Sequence, residues 1–138
     1  MYRIIGLDIG TKRIGIALSD PLLITAQPFS TIERKPEKDA IDKIVTIIKD
    51  YSVEKIVAGL PLMMNGDFGS QAQDCSEFAK KLEQKTNINV IFIDERLTSY
   101  QAEEILKEQN VKYTKNKGKV DMIAASIILQ EYLDTKGD

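Results

Sequence analysis

The chain has 138 residues, of which 43% are hydrophobic, and its 19 basic side chains nearly balance its 21 acidic ones. This length predicts one domain, residues 1–138, whose core needs neither a disulfide nor a structural metal. The absence of histidine and the single cysteine, Cys75, exclude Ser-His-Asp and Cys-His catalysis and histidine-ligated zinc sites. Carboxylate, lysine and hydroxyl chemistry remains.

The sequence predicts no membrane segment. Its longest apolar stretch, Met122–Leu129, is eight residues and is interrupted by a serine. The apolar start, Ile4–Leu7, is cut short by Asp8, which excludes a signal peptide. We therefore expect a soluble cytoplasmic protein with no membrane partner.

The N-terminal part of the sequence predicts three strands and a helix. Apolar runs at Arg3–Asp8 and Ile14–Ser19 flank the turn residues Gly10–Arg13, a pattern typical of a β-hairpin. A third strand is predicted at Gln27–Ile32. A helix that ends near Asp50 is predicted from apolar residues at helical spacing, namely Ile41, Ile44, Val45, Ile47 and Ile48.

The C-terminal part alternates strands and helices. Lys55–Leu60 and Asn89–Ile93 read as strands. Between them, Ser70 and Gln73 form a capping-box signature for a helix that runs to about Lys85.

A second capping box, Thr98 with Gln101, predicts a further helix. The stretch Asn110–Lys119 has four lysines and no acid and reads as a basic loop. The order of elements predicts an α/β fold with a mixed sheet, antiparallel at first and parallel afterwards, covered by helices. The last helix presents one apolar face, formed by Val120, Ile123, Ala124, Ile127 and Ile128.

Two acidic residues fall at the ends of predicted strands. Asp8 ends an apolar strand, where an unpaired buried charge is costly, so it needs a partner or a cation; the alternative is a turn-capping role. Glu95 directly follows a strand, and ligands in open α/β sheets gather at the carboxyl ends of strands. The alternatives there are the neighbouring Asp94 or a surface ion pair with Arg96.

A third acid, Asp121, lies at the expected start of the last helix. It shares a helix face with Ala125 and Ile128, so we expect it to point toward the sheet; the alternative is a favourable interaction with the helix dipole. Three inward carboxylates repel one another unless a cation lies between them, which predicts a Mg²⁺ or Mn²⁺ site. Two such ions can promote an in-line phosphoryl displacement that needs no histidine.

Four segments of the chain carry a resemblance to a known family. They are Asp8–Gly15, Gly59–Leu62 with Asn65–Gly66, Asp94–Thr98 and Val120–Ala125. In this order and over nearly the whole chain they resemble the YqgF family, the RuvX group described as Holliday-junction resolvases and as nucleases of pre-16S ribosomal RNA.

The resemblance implies a ribonuclease H-like fold, with a five-stranded mixed sheet in the order 3-2-1-4-5 and helices on both faces. It also implies a bacterial cytoplasmic nuclease that hydrolyses phosphodiester bonds at the 5′ end of pre-16S ribosomal RNA or in Holliday-junction-like DNA. The implied catalytic and metal-binding acids are Asp8, Glu95 and Asp121. The more distant RuvC resolvase carries a further acid at the place of Ala124.

Hydroxyl and basic side chains near these acids are candidates for contacts with nucleic acid. A solvated turn and a merely soluble lysine-rich loop are the alternatives. The candidates are Thr11, Lys12, Arg13, Arg96, Lys112, Lys115, Lys117 and Lys119.

Two other functional classes are compatible with parts of the sequence. An actin-like or sugar-kinase ATPase shares a hairpin like Asp8–Thr11, but such enzymes need a second lobe, and the chain has no GxxxxGK[ST] loop. A non-catalytic RNA-binding or ribosome-assembly module would leave the acids with structural roles, and metal-dependent turnover distinguishes it from a nuclease. A monomer and a homodimer both remain open, since a symmetric junction favours a dimer.

Overall fold

The structure is a computed structural model that describes residues 2–95 and 117–135. Within these residues, five strands form one sheet and three helices pack on it. The elements in chain order are β1 (Arg3–Ile9), β2 (Arg13–Ser19), β3 (Ala26–Glu33), α1 (Glu37–Asp50), β4 (Val53–Leu60), α2 (Ser70–Thr86), β5 (Val90–Asp94) and α3 (Lys117–Thr135).

The strand order is β3-β2-β1-β4-β5, with β1 in the centre. Strands β1, β2 and β3 are antiparallel neighbours, whereas β4 runs parallel to both β1 and β5. The mixed sheet and its order confirm the expectation from the sequence. None of the helices in the described part of the chain is both long and apolar enough to cross a bilayer.

The two faces of the sheet bury different side chains because successive strand residues point to opposite sides. On β1, Ile5, Leu7 and Ile9 belong to the larger core, which the helices α1 and α2 cover. Ile4 faces the other side and packs in the core formed with α3. Helices on both faces are therefore confirmed, and Asp8, which alternates with Leu7 and Ile9, is on the α3 side.

Small residues on that side let α3 approach the strands closely. A Cβ on Gly15 of β2 would lie only 1.9 Å from the backbone oxygen of Asp121, and one on Gly6 of β1 would lie 2.7 Å from Cβ of Leu129. Any larger side chain at Gly15 would push the helix away. Gly15 thus fixes how near Asp121 comes to β2.

Two expectations about helix starts were wrong. Ser70 does not cap α2, because it is already the first residue of the helix. The N-cap residue is Gly69, and no side chain forms a capping hydrogen bond there. The expected basic loop is partly helical, since α3 begins at Lys117 rather than at Val120. There, Thr31 of β3 donates a hydrogen bond of 2.6 Å to the backbone oxygen of Gly118 and holds the first turn against the sheet. The capping box at Thr98 and Gln101 lies outside the described residues.

Candidate active site

The carboxyl ends of β1, β4 and β5 open into one cleft of about 560 Å³. Asp8 precedes the last residue of β1, and Glu95 directly follows β5. Asp121 reaches the same cleft from α3, where it lies beyond the first turn of the helix. The structure therefore brings together the three acids that the sequence singled out, and an interaction with the helix dipole does not account for the position of Asp121.

The carboxyl groups of Asp8 and Glu95 have strongly perturbed acidities. Burial raises the pKa of Asp8 from 3.8 to about 7, with a further contribution from the charge of Asp121. Burial also raises the pKa of Glu95 from 4.5 to about 8, and the charges of Asp8 and Asp94 add to this effect. Among the described residues, no hydrogen-bond donor contacts either carboxyl group to offset these penalties.

Glu95, not Asp94, enters the cleft. The side chain of Glu95 continues the side of β5 that carries Ile91 and Ile93, which pack with α3. It crosses Gly59 of β4 so closely that a Cβ there would lie 2.5 Å from the Glu95 carboxyl carbon. Asp94 points to the other side and is exposed.

Asp121 is held by an arginine from the first hairpin. Nε of Arg13 donates to Oδ2 of Asp121 at 2.6 Å, and both side chains are partly buried. Arg13 was expected to contact nucleic acid from the turn, but it is the first residue of β2, and one of its contacts is this acid. The predicted repulsion between three acids is thus partly relieved within the protein.

The donor chemistry of the cleft fits a hard divalent cation. Asp8 and Glu95 are half-buried and offer carboxylate oxygens, which are the ligands that Mg²⁺ and Mn²⁺ prefer. Within the described ranges, no three acidic or cysteine side chains are arranged as a complete set of metal ligands. This still fits Mg²⁺, which commonly binds one or two carboxylates together with water and substrate phosphate.

A second arginine, which sequence reasoning missed, fixes the turn beside the cleft. Arg34 is 5% exposed and forms two hydrogen bonds of 3.0 Å with the carboxylate of Asp74 on α2. The guanidinium of Arg34 also donates a hydrogen bond of 2.8 Å to the backbone oxygen of Gly10 and lies over the ring of Phe78. The backbone N–H of Arg34 donates a hydrogen bond to the backbone oxygen of Lys12. The hydrogen bond and charge of Asp74 outweigh burial and raise the pKa of Arg34, so this guanidinium stays charged.

Helix α2 supplies another wall of the cleft, which the sequence did not indicate as part of the site. Gln71, Asp74 and Cys75 line it. The helical spacing of Asp74 and Cys75 with the buried Phe78 was the available signal. Cys75 is buried and donates to the backbone oxygen of Ile9, and burial raises the pKa of its thiol to about 12, which fits packing rather than nucleophilic attack.

The structure describes only some of the residues predicted to contact nucleic acid. Thr11 is exposed and lines the cleft, and Lys12 is exposed on the same turn. Lys119 is the third residue of α3 and is also exposed. The backbone of Lys117 begins α3. Arg96, Lys112 and Lys115 lie outside the described residues.

The sequence matches known relatives along nearly its whole length. A profile described as RuvX, Holliday junction resolvase, matches residues 2–135. A protein of Clostridioides difficile (strain 630) is 47% identical over 134 residues, covering 97% of this chain and 95% of the relative. One of Lachnospira eligens is 46% identical over 137 residues, covering 97% and 98%. Both bear the name "Putative pre-16S rRNA nuclease".

Solved structures show the same fold at low sequence identity. The Thermus thermophilus RuvC in complex with a Holliday junction substrate has a TM-score of 0.57 at 11% identity, covering 99% of this chain and 97% of that one. The fowlpox virus resolvase bound to Holliday junction DNA has a TM-score of 0.61 at 15% identity, covering 99% of both chains.

The match to the RuvX family and the relatives named as nucleases define the class of this protein, a nuclease that hydrolyses phosphodiester bonds. This class of nuclease acts on nucleic acid and generally depends on divalent metal. The chain belongs to the RuvX family.

Proposed function

We propose that Asp8, Glu95 and Asp121 carry the hydrolysis, and that the substrate is the precursor of 16S ribosomal RNA. The observation that supports the site is the pair of half-buried carboxyl groups, Asp8 and Glu95, whose pKa values are raised by partial burial to about 7 and about 8 at the mouth of an open cleft. Buried acids that destabilise each other's charged form are typical of a functional site.

In this proposal Asp8 and Glu95 hold Mg²⁺ or Mn²⁺, joined by Asp121. When bound, the ion supplies positive charge that stabilises the attacking and leaving oxygens of the displacement. Arg13 holds Asp121 in the metal-free site through its 2.6 Å contact, which weakens when the ion binds. Thr11 and Lys12, exposed on the turn that Arg34 fixes, contact the phosphate backbone of the substrate.

Among the possible substrates, sequence relatives favour ribosomal RNA over branched DNA. The relatives that share 46% and 47% of their residues with this chain bear the name of a pre-16S rRNA nuclease. The resolvases bound to DNA junctions share 15% or less, and this likeness supports the fold alone. A ribosomal precursor lacks the two-fold symmetry of a junction that favours a dimer, so we propose a monomer that acts in the cytoplasm.

The test offers the purified protein with Mn²⁺ two substrates, an RNA fragment that spans the 5′ end of 16S ribosomal RNA with its leader and a four-way DNA junction. We expect cleavage of the RNA and little of the junction. Asp8→Asn and Glu95→Gln are expected to abolish turnover while the circular dichroism spectrum stays unchanged. Asp94→Asn, one residue from Glu95 and exposed, is the matched control and should keep its turnover within a few-fold.

Other outcomes separate the alternatives. Faster cleavage of the junction than of the RNA would make the protein a resolvase. Tight RNA binding without metal-dependent turnover would support the non-catalytic ribosome-assembly module. Near-normal turnover in both Asp8→Asn and Glu95→Gln would show that the hydrolytic site lies elsewhere.

A further inference from the structure

The loop between β4 and α2, residues 61–69, exposes three large apolar side chains. Met63 is 53% exposed, Met64 67% and Phe68 54%. Phenylalanine and methionine are among the residues most often buried, so three exposed members in one short loop indicate a surface that meets a partner.

Hydrogen bonds fix the backbone of this loop. The N–H of Met63 donates to the oxygen of Asp67 at 2.9 Å, and the N–H of Gly66 donates to the oxygen of Met63 at 2.7 Å. The side chain of Asn65 accepts from the N–H of Asp67 and donates to its carboxylate. Gly66 has a φ of 92°, which the turn requires. The exposed side chains of Met63, Met64 and Phe68 are therefore held on a hydrogen-bonded turn.

The loop continues directly from the active-site cleft. Pro61 and Leu62 line the cleft together with Asp8 and Glu95. They follow the end of β4, where Gly59 lies under the side chain of Glu95. Met63, Met64 and Phe68 therefore lie in the loop whose first two residues line the cleft.

The loop carries no basic side chain that could bind a phosphate. Residues 61–69 contain no lysine or arginine, and the single charged residue is Asp67. An acidic, otherwise apolar surface repels a phosphate but accepts the face of a base, since every base has a π-face that stacks on aromatic side chains. Methionine adds a polarizable thioether that packs against aromatic rings.

We propose that Met63, Met64 and Phe68 form a platform on which an unpaired base next to the scissile phosphate stacks. Bases inside a duplex already stack on one another and offer no free face, so the platform selects substrates that are single-stranded at the cleavage site. This inference rests on the proposed nuclease site, which would hold the neighbouring phosphate. It adds the requirement that the cut lies in an unpaired segment.

A tryptophan probe tests the contact directly. The chain contains no tryptophan, so Phe68→Trp introduces a single indole at the platform. Ile24→Trp is the matched control: Ile24 is 61% exposed and lies in the β2–β3 connection, at the end of β2 that is remote from the cleft. Both proteins are titrated with a short single-stranded RNA and with the same strand in a full duplex, in EDTA to prevent hydrolysis.

We expect the single-stranded RNA to quench the fluorescence of the Phe68→Trp protein. The duplex should leave it nearly unchanged, and the Ile24→Trp protein should respond to neither. Equal quenching at both positions, equal quenching by single strand and duplex, or no quenching at Phe68→Trp while the RNA binds would each overturn the proposal.

Truncation gives a second, independent measurement. The double variant Met64→Ala with Phe68→Ala should bind the single-stranded RNA about tenfold more weakly, as expected from stacking energies of about 1–3 kcal/mol per base, and bind the duplex as before. The pair Leu22→Ala with Ile24→Ala, which removes similar exposed apolar surface, should change neither affinity. Unchanged single-strand affinity in the first variant would contradict the platform.

Failure of the stacking platform and failure of the proposed nuclease activity give different results. If the wild-type protein cleaves its substrate and the truncated platform cleaves it with an unchanged KM, the stacking inference fails and the nuclease stands. If the Phe68→Trp signal responds to single strands but no metal supports turnover, the proposed hydrolysis fails and the platform stands.

Discussion

Nε of Arg13 lies 2.6 Å from Oδ2 of Asp121, and this contact joins residues that are 108 positions apart in the sequence. The pair binds the first hairpin to α3 across the mouth of the cleft. It also gives Asp121 a protein cation as its partner, so binding of a metal by Asp121 competes with binding to Arg13.

This competition can be measured with a double-mutant cycle of Arg13→Ala and Asp121→Asn. In EDTA we expect a coupling free energy of about 1 kcal/mol, as for a partly exposed, charge-assisted hydrogen bond. In excess Mg²⁺ the coupling should shrink, because Asp121 then shares its charge with the ion. Urea unfolding supplies the four free energies in each condition. The same coupling with and without Mg²⁺ would show that Asp121 does not become a ligand.

The acidities of Asp8 and Glu95 predict how stability depends on pH without metal. In the unfolded chain both ionise near pH 4, whereas in the folded protein the pKa is about 7 for Asp8 and about 8 for Glu95. The folded state therefore binds more protons between these values, and the free energy of unfolding is expected to fall as the pH rises from about 4 to about 8.

Urea unfolding in EDTA at about pH 5 and about pH 8 checks this dependence. The Asp8→Asn variant lacks one of the two groups, so its loss of stability between the two pH values should be smaller than that of the wild type. Mg²⁺, which binds the folded site, should restore much of the wild-type stability at the higher pH. Identical pH dependence in both proteins would contradict the burial of a charge at Asp8.

Gly15 predicts the cost of moving α3 away from the sheet. Gly15→Ala should destabilise the protein by about 2 kcal/mol and reduce turnover, because its Cβ would collide with the backbone of Asp121. Gly118→Ala is the matched control: it lies in α3, its Cβ would lie at least 3.7 Å from Thr31, and alanine favours helix by up to about 1 kcal/mol. Thermal melts and turnover of both variants test the contrast, which fails if Gly15→Ala is as stable as the control.

Arg34 predicts a structural effect at a distance from the acids. Arg34→Met leaves Asp74 and the Gly10 oxygen without their partner and should lower the free energy of unfolding by about 2 kcal/mol, since the side chain of Asp74 is 41% exposed and stays hydrated. Lys81→Met breaks an exposed ion pair with Glu37 at 2.7 Å and should cost less than about 1 kcal/mol. Chemical denaturation measures both. Equal costs would mean that the buried guanidinium adds nothing beyond a surface pair.

The lysines of the predicted basic stretch are expected to supply affinity. Neutralising Lys112, Lys115 and Lys117 together should weaken RNA binding and reduce the salt slope by about one unit for each phosphate that the protein no longer neutralises, while single-turnover cleavage at saturating protein is retained. The charge-matched control neutralises three exposed lysines of α1, Lys38, Lys43 and Lys49, and should leave the slope unchanged. Equal salt slopes in both triple variants would show that the RNA strand does not contact Lys112, Lys115 and Lys117.

Patterns of apolar residues in the sequence predicted most of the strands and helices of the fold. Apolar runs predicted the strands β1 and β2 and the turn between them. The apolar face predicted for the last helix was only partly right: Ile128 packs in the core on the sheet together with Ala125 and Leu129, whereas Val120 and Ala124 form a separate cluster. The acids were recognisable because a carboxylate at the end of a buried strand is costly without a function.

The contacts that the sequence did not predict join residues remote in the chain. Nothing local distinguishes Arg34 from a solvated arginine, and its burial arises only when α2 brings Asp74 and Phe78 against the first hairpin. The partnership of Arg13 with Asp121 likewise depends on how closely α3 approaches Gly15. Such pairings are set by tertiary packing, which local spacing does not encode.

The close packing of α3 has a consequence for the time at which the enzyme becomes active. A growing chain that has not yet released residues 117–135 from the ribosome carries Asp8 and Glu95, but lacks Asp121 and the helix that covers Ile4 and Gly6. The proposed hydrolytic site is therefore incomplete throughout synthesis of the preceding residues. A nuclease proposed to act on ribosomal RNA thus acquires its activity only after the ribosome that makes it has produced the last helix.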